Sequence, residues 1–133
     1  MAYDLDPQIM TLEAAVDLSA KQYYFVFLDT DGKANYIDTN DNQNAIGVLQ
    51  NTPTAGQAAA ICVGGLSKLE VNAAVAEGAP VAPNFTTATT NVESGRGQSG
   101  VAGQFAGARA ITAATAQGDI ITVLVTYQTV ALA

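Results

Sequence analysis

Four aspartates lie close together in the first third of the chain, where they could supply oxygen ligands to a calcium ion. They are Asp29, Asp31, Asp38 and Asp41. Their spacing does not fit an EF-hand, because a loop with Gly32 at its sixth position has Phe27, not a carboxylate, at its first. We therefore predict solvated turn carboxylates, with no bound metal and no cofactor.

Nucleophilic catalysis is the second chemistry to consider, because the chain has one cysteine, Cys62. Cys62 lies in the apolar run Ile61-Cys62-Val63, where a thiol behaves as a small hydrophobic side chain. The sequence contains no histidine to act as its base or to transfer protons near neutral pH. We expect no catalytic residues and no enzymatic activity.

Two further patterns suggest ligand binding. The glycine-rich segment 93–100, ESGRGQSG, contains Arg96 and could cradle an anion, but no clear strand precedes it and it has no Walker lysine. A flexible surface loop, or a loop that contacts another subunit, is the preferred interpretation. Tyrosines could also stack on a sugar, although aromatic residues in strands more often pack as cross-strand pairs. The candidates are Tyr23, Tyr24, Tyr36 and Tyr127.

Composition limits the classes of protein to which the chain can belong. Its 133 residues suit one domain, and 49% of them are hydrophobic whereas only 13% are charged. The net charge of −7 disfavours binding to nucleic acid or to an anionic membrane. The first ten residues do not resemble a secretory signal, and no apolar run reaches the roughly 20 residues of a membrane span. We expect a soluble protein made in the cytoplasm.

Turn signals followed by apolar or β-branched runs predict an all-β fold, either a compact β-barrel or a β-tulip or sandwich, with at most a short helix. The hairpin between the first two runs is favoured by Gly32, which supplies the positive φ of a tight turn. Pro80 and Pro83 limit their strand to an edge or terminal position. The predicted strands cover residues 23–28, 34–37, 45–49, 58–63, 67–71, 79–82 and 119–127.

Two parts of the chain look alike. Gly56-Gln57 precedes Ile61-Cys62-Val63 by the same offset that separates Gly118-Asp119 from Val123-Leu124-Val125. Each part also follows an Ala-Ile pair, at 45–46 and at 110–111. The pattern predicts two related hairpins in one barrel or sandwich.

The chain divides into an N-terminal arm, residues 1–16, and a single β domain, residues 17–133, with a long polar loop at 84–107. Residues 12–20 suit a helix or a strand equally well. The loop has too few large apolar residues to form its own core, so we expect it and the arm to contact neighbouring subunits. The candidate contact residues are Tyr3, Leu5, Ile9, Phe85, Val101 and Phe105.

Several segments resemble the small decoration (cement) proteins of tailed-phage capsids, which are compact β-barrel or β-tulip modules. The likeness covers most of the chain from Asp17 onward, and the chain departs from the family at 84–107, where the family is typically short. The matching segments are DLSAKQ at 17–22, AIGV at 45–48, AGQA at 55–58, ICVG at 61–64, VAEGAPV at 75–81 and GDII at 118–121.

The resemblance implies a structural virion protein that binds the outer surface of the major capsid protein shell and stabilises the head, often as a homotrimer. Its partners would be the major capsid protein and further copies of itself, on the capsid exterior. Low charge and abundant small residues agree with dry, closely packed contacts. The alternative is a receptor-binding or glycan-binding module of a phage fibre or tail, for which we expect exposed aromatic residues at strand ends or a clustered acidic metal site.

Overall fold

The structure, a computed structural model, describes residues 6–38, 44–85, 94–126 and 132. The described residues form an all-β fold without a helix, as the sequence predicts. Accordingly, no helix in these ranges is long and apolar enough to cross a membrane. The strands are β1 (Gln8–Glu13), β2 (Phe25–Leu28), β3 (Ala34–Tyr36), β4 (Gly47–Leu49), β5 (Ala58–Glu70), β6 (Pro80–Pro83), β7 (Gly97–Ser99), β8 (Ala108–Ala110) and β9 (Ile120–Val125).

All the strands belong to one curled sheet of order β3-β2-β4-β5-β9-β8-β6-β7, with β1 paired to β5. A parallel bridge between Val71 and Gly97 connects β7 back to the residue that follows β5. The sheet therefore curls into a barrel-like shape. The prolines of β6 occupy its first and last residues, so β6 can lie between β8 and β7 without being an edge strand.

The central strand, β5, is where the structure differs most from the predicted strands. The sequence predicts two strands separated by Gly64-Gly65, but β5 continues through both glycines for 13 residues. Gly65 has a φ of +85°, and a Cβ there would lie 2.5 Å from the carbonyl oxygen of Asp6. Glycine thus changes the local backbone of the strand without ending it. The first half of β5 pairs with β1 and β4, and the second half pairs with β9.

The fold is an internal duplication. Repeat 1 consists of β1 to β4 and the first half of β5, and repeat 2 consists of the second half of β5 and β6 to β9. The strand order is β3-β2-β4-β5-β1 in repeat 1 and β7-β6-β8-β9-β5 in repeat 2. Each strand of one repeat therefore has a counterpart in the other, and β5 serves both.

Backbone hydrogen bonds establish the equivalence residue by residue. Eight bonds of 2.7–3.1 Å form four matched pairs. With repeat 1 first, they run from Ala15 N to Ala34 O and Asn72 N to Gly97 O; from Leu18 N to Pro53 O and Val75 N to Ala114 O; from Tyr23 N to Leu49 O and Gly78 N to Ala110 O; and from Gly56 N to Ala14 O and Gly118 N to Val71 O.

The duplication confirms one of the predicted correspondences between the two parts of the chain and contradicts another. Gly56 and Gly118 are equivalent, as the repeated pattern predicts, and both have positive φ. The prediction that Ala-Ile at 45–46 matches Ala-Ile at 110–111 is wrong. Ile46 N donates to Val26 O, and the equivalent bond in repeat 2 runs from Gly107 N to Val81 O. The counterpart of Ile46 is therefore Gly107, four residues before Ile111, because backbone pairing and not the dipeptide defines the register.

Two segments that the sequence treats as arm and loop contribute strands. Residues 8–13 of the arm form β1, which pairs with β5, and the chain after Glu13 is not helical. Within 84–107, β7 pairs with β6, and Asn84 N donates to Arg96 O at 2.7 Å. Gly97 packs against Leu69, because a Cβ at this glycine would lie 2.6 Å from Leu69 Cδ2. Backbone pairing, which needs no large side chains, thus orders part of this polar segment.

Apolar side chains form two clusters on opposite faces of the sheet, because successive residues such as Phe25 and Val26 belong to different clusters. One is centred on Phe25, Leu69, Val81 and Val123, all fully buried. The other surrounds Val26 and belongs to repeat 1. Alternate residues of β9 point inward, which is the two-residue period of a strand with one wet face.

Candidate functional site

A cluster of charged side chains lies where the two repeats meet. Glu70 is the last residue of β5, Arg96 precedes β7, and Tyr24 precedes β2. The Arg96 Nε lies 2.5 Å from Glu70 Oε2 and 3.1 Å from the Tyr24 hydroxyl oxygen. The Tyr24 hydroxyl also donates to Glu70 Oε2, at 3.0 Å. One carboxylate oxygen therefore binds groups from both repeats.

Lys21 belongs to the same cluster and is only 8% exposed. Its Nζ donates to Ser94 O at 2.9 Å and lies 5.0 and 5.3 Å from the ring centroids of Tyr24 and Tyr36. Burial lowers the pKa of Lys21 to about 8; the charge of Arg96 acts in the same direction and that of Glu70 opposes both. Burial, with the hydrogen bond and charge of Glu70, raises the pKa of Tyr24. The cluster acts chemically as an ionic clamp between the repeats.

The ion pair has a counterpart in repeat 1. The bridged residues Ala14 and Ala34 are equivalent to the bridged residues Val71 and Gly97. Glu13 and Lys33 come directly before the first two, as Glu70 and Arg96 come directly before the second two. Their side chains form a 2.9 Å salt bridge and are 51% and 40% exposed, whereas those of Glu70 and Arg96 are 20% and 16% exposed. The same pair of positions thus carries an exposed salt bridge in repeat 1 and a largely covered one in repeat 2.

An open groove of about 320 Å³ lies on the outside of the sheet near the clamp. Tyr23 lines it and has a φ of 65°, the sole non-glycine residue with positive φ in the described ranges. Its counterpart is Gly78, which has a φ of 78°. The Lys68 Nζ lies 5.7 Å from the centroid of the Tyr23 ring. The other lining residues are Gln50, Leu66, Ser67 and Thr122.

Asp29 and Cys62, two of the residues first considered for chemistry, are explained by the structure around them. Asp29 Oδ1 accepts the backbone N–H groups of Asp31 and Lys33, both at 3.0 Å, and so stabilises the hairpin turn. Asp41 lies outside the described residues. Cys62 is buried, and burial raises the pKa of its thiol, so it is poorly suited to nucleophilic attack.

The structure describes four of the six candidate contact residues, and these four differ in exposure. Ile9, in repeat 1, and Val101, in repeat 2, are 50% and 59% exposed. Phe85 packs against the protein's own core, and Phe105 is half-buried. Tyr3, Leu5 and also Tyr127 lie outside the described residues. The contact role of these side chains stays a prediction.

Sequence reasoning missed Lys21 and Glu70 as members of a site. One signal was available: the dipeptide Leu-Glu occurs at 12–13 and at 69–70, at equivalent ends of β1 and β5. In a chain with only 13% charged residues, two glutamates at equivalent positions indicate a repeated ion pair.

No protein-family model matches the chain, and no curated protein matches it. Among solved structures, the chain is similar to the N base of the head fibre protein gp8.5 of bacteriophage phi29, with a TM-score of 0.63 and 10% sequence identity. The similarity covers 91% of this chain and 95% of that chain. At this identity the likeness establishes a shared fold.

Proposed function

We propose that the protein is a structural component of a bacteriophage virion and is attached to the head. The observation that carries the proposal is the fold likeness to a phage head fibre base over nearly the whole of both chains. The sequence resemblance to capsid decoration proteins supports the same location on independent grounds, since it depends on short segments rather than on the fold.

Within this role we propose a decoration protein, which binds the outer surface of the major capsid protein shell as a homotrimer and stabilises the head. Ile9 and Val101 are exposed apolar side chains of the kind that contribute to protein interfaces. The net charge of −7 would keep the protein soluble before assembly and away from packaged DNA. We propose no enzymatic activity, and no nucleic acid or membrane partner.

A fibre base is the second candidate, because the similar solved structure is itself the base of a head fibre. Both candidates require binding to the head. They differ in what lies distal to the module: a decoration protein ends at the capsid surface, whereas a fibre base carries a projection, which in the glycan-binding or receptor-binding alternative would contact the host.

Co-sedimentation of the purified protein with undecorated phage heads tests the shared part of the proposal. We expect saturable binding, reduced at least tenfold by Ile9→Asp or Val101→Asp. Ile120→Asp is the matched control, because Ile120 is 53% exposed but lies outside the predicted contact set. Absence of binding by the unaltered protein would contradict head attachment, and equal binding by all three variants would contradict the assigned contacts.

Cryo-electron microscopy of virions, with the molar mass of the free protein measured by light scattering, separates the two candidates. A compact density on the capsid and a trimeric mass support the decoration protein. A module at the root of a longer projection supports the fibre base. Virions that lack the protein by mass spectrometry would contradict both.

A further inference from the structure

The backbone of Tyr23 is in a conformation that suits glycine. Its φ of 65° lies in the left-handed region, which is uncommon for bulky residues. The equivalent position in repeat 2 is Gly78, with the same backbone hydrogen bond to the neighbouring strand. Strained residues concentrate at ligand-binding sites, where the side chain is kept for its contacts. The comparison of the repeats therefore draws attention to the Tyr23 ring.

The ring faces a groove that combines one aromatic surface with several polar groups. Both amide hydrogens of Gln50 are used within the protein, one on Val48 O at 3.0 Å and one on Ser67 Oγ at 2.9 Å. The Gln50 Oε1 is therefore oriented by its own amide group and can accept a hydrogen bond from a ligand. Thr122 pairs with Lys68 across β5 and β9, so both side chains lie on the same outer face of the sheet.

Lys68 supplies positive charge to this groove. It is exposed and has no carboxylate within 4.0 Å in the described part of the chain. Glu70 lies two residues further along the same face, but its carboxylate binds Arg96 and Tyr24. An anionic group that enters the groove therefore meets an ammonium group that lies over an aromatic ring, 5.7 Å from its centroid.

We propose that this groove binds an acidic carbohydrate, a pyranose ring that carries a carboxylate. The apolar face of the sugar stacks on Tyr23, its hydroxyl groups bond to Gln50 and Thr122, and its carboxylate pairs with Lys68. Aromatic faces with a few oriented polar groups are the usual composition of small-ligand sites. The proposal goes beyond head attachment and does not depend on it, since the groove residues are not among the predicted contacts.

The test is a titration of the isotope-labelled, full-length protein with trigalacturonic acid, followed by nuclear magnetic resonance. Maltotriose is the neutral control of the same length. We expect saturable shifts of the Tyr23, Lys68 and Thr122 signals with the acidic trimer at millimolar concentration, and at least tenfold weaker binding of maltotriose.

Three variants assign the site. Tyr23→Gly removes the ring but gives this position the residue that repeat 2 already has, so the fold is expected to survive. Tyr23→Gly and Lys68→Ala should each weaken binding of the acidic trimer at least tenfold. Lys33→Ala, which alters a lysine remote from the groove, should leave binding unchanged. Signals far from the groove show whether each variant is folded.

Three outcomes would overturn the proposal: no binding of the acidic trimer at tens of millimolar, equal binding of both trimers, or unchanged binding by folded Tyr23→Gly. Loss of head binding in the separate co-sedimentation assay would not bear on it, so the two proposals fail independently.

Discussion

Glu70 and Arg96 form an ion pair, 2.5 Å between Oε2 and Nε, that joins the end of β5 to the residue before β7. The pair is largely covered, and the buried Lys21 lies in the same cluster. Glu70 is thus the carboxylate that offsets two cations at the junction of the repeats.

Removal of this carboxylate should destabilise the protein more than removal of its exposed counterpart. We expect Glu70→Ala to lower the free energy of unfolding by about 2–4 kcal/mol, because Arg96 would lose its largely covered ion pair and Lys21 the nearby carboxylate that favours its charge. Glu13→Ala breaks the exposed salt bridge and should cost less than about 1 kcal/mol. Urea unfolding of both variants measures the difference. Equal losses would show that the clamp contributes no more than a surface pair.

The pH dependence of the free energy of unfolding should show the lowered pKa of Lys21. Its pKa is about 8 in the folded protein and lies below the ordinary value of 10.5. Between these values the unfolded chain binds more protons, so the free energy of unfolding should rise with pH above about 8. The pKa of Tyr24 is raised above its ordinary value of 10.0, so near pH 10 Tyr24 lowers the free energy of unfolding as the pH increases. The rise due to Lys21 is therefore measured below that pH.

Lys21→Met should abolish this rise while leaving stability near neutral pH unchanged or higher, because a buried charge is replaced by an apolar side chain of similar length. Lys33→Met, which alters an exposed lysine, is the control and should retain the rise. Thermal unfolding between about pH 7 and pH 9.5 checks both. A rise that persists in Lys21→Met would assign the pH dependence to another group.

Backbone strain should make Tyr23 and Gly78 respond differently to substitution. Tyr23→Gly is expected to change the free energy of unfolding by less than about 1 kcal/mol, since relief of the strained φ offsets the greater entropy of glycine in the unfolded chain. Gly78→Ala should cost about 1 kcal/mol although no atom lies within 4 Å of the added Cβ, because only the backbone opposes it. Calorimetry tests both, and a loss of several kcal/mol in Tyr23→Gly would show that the ring is needed for folding.

Close packing of strands should make Gly47 intolerant of a side chain. A Cβ there would lie very close to the carbonyl oxygen of Cys62, which is backbone and cannot move aside, so Gly47→Ala should cost about 3 kcal/mol. At Gly64 the nearest atom is the flexible end of Gln8, at 2.9 Å, and Gly64→Ala should cost less than about 1 kcal/mol. Similar losses in denaturant unfolding would mean that the sheet adjusts at Gly47.

Local patterns were sufficient to predict several elements of this fold, but not β1, β7 or β8. The hairpin of β2 and β3 follows from Gly32, whose φ is 75°, and β9 follows from its run of β-branched and apolar residues. The equivalence of Gly56 and Gly118 was visible as a repeated offset. These features depend on neighbours in the chain, so their signal lies within a short window of sequence.

The amino-acid sequence by itself therefore determined the β class, the main turns and the acidic character, and it contains no histidine. Tertiary structure decided that β5 is continuous, that the two repeats share it, and that Lys21 meets Ser94 across 73 residues and Glu70 meets Arg96 across 26. It also placed a tyrosine where the other repeat has glycine. The physical reason is that strand propensity and turn chemistry act between neighbouring residues, whereas register and burial are set by the pairing of distant strands.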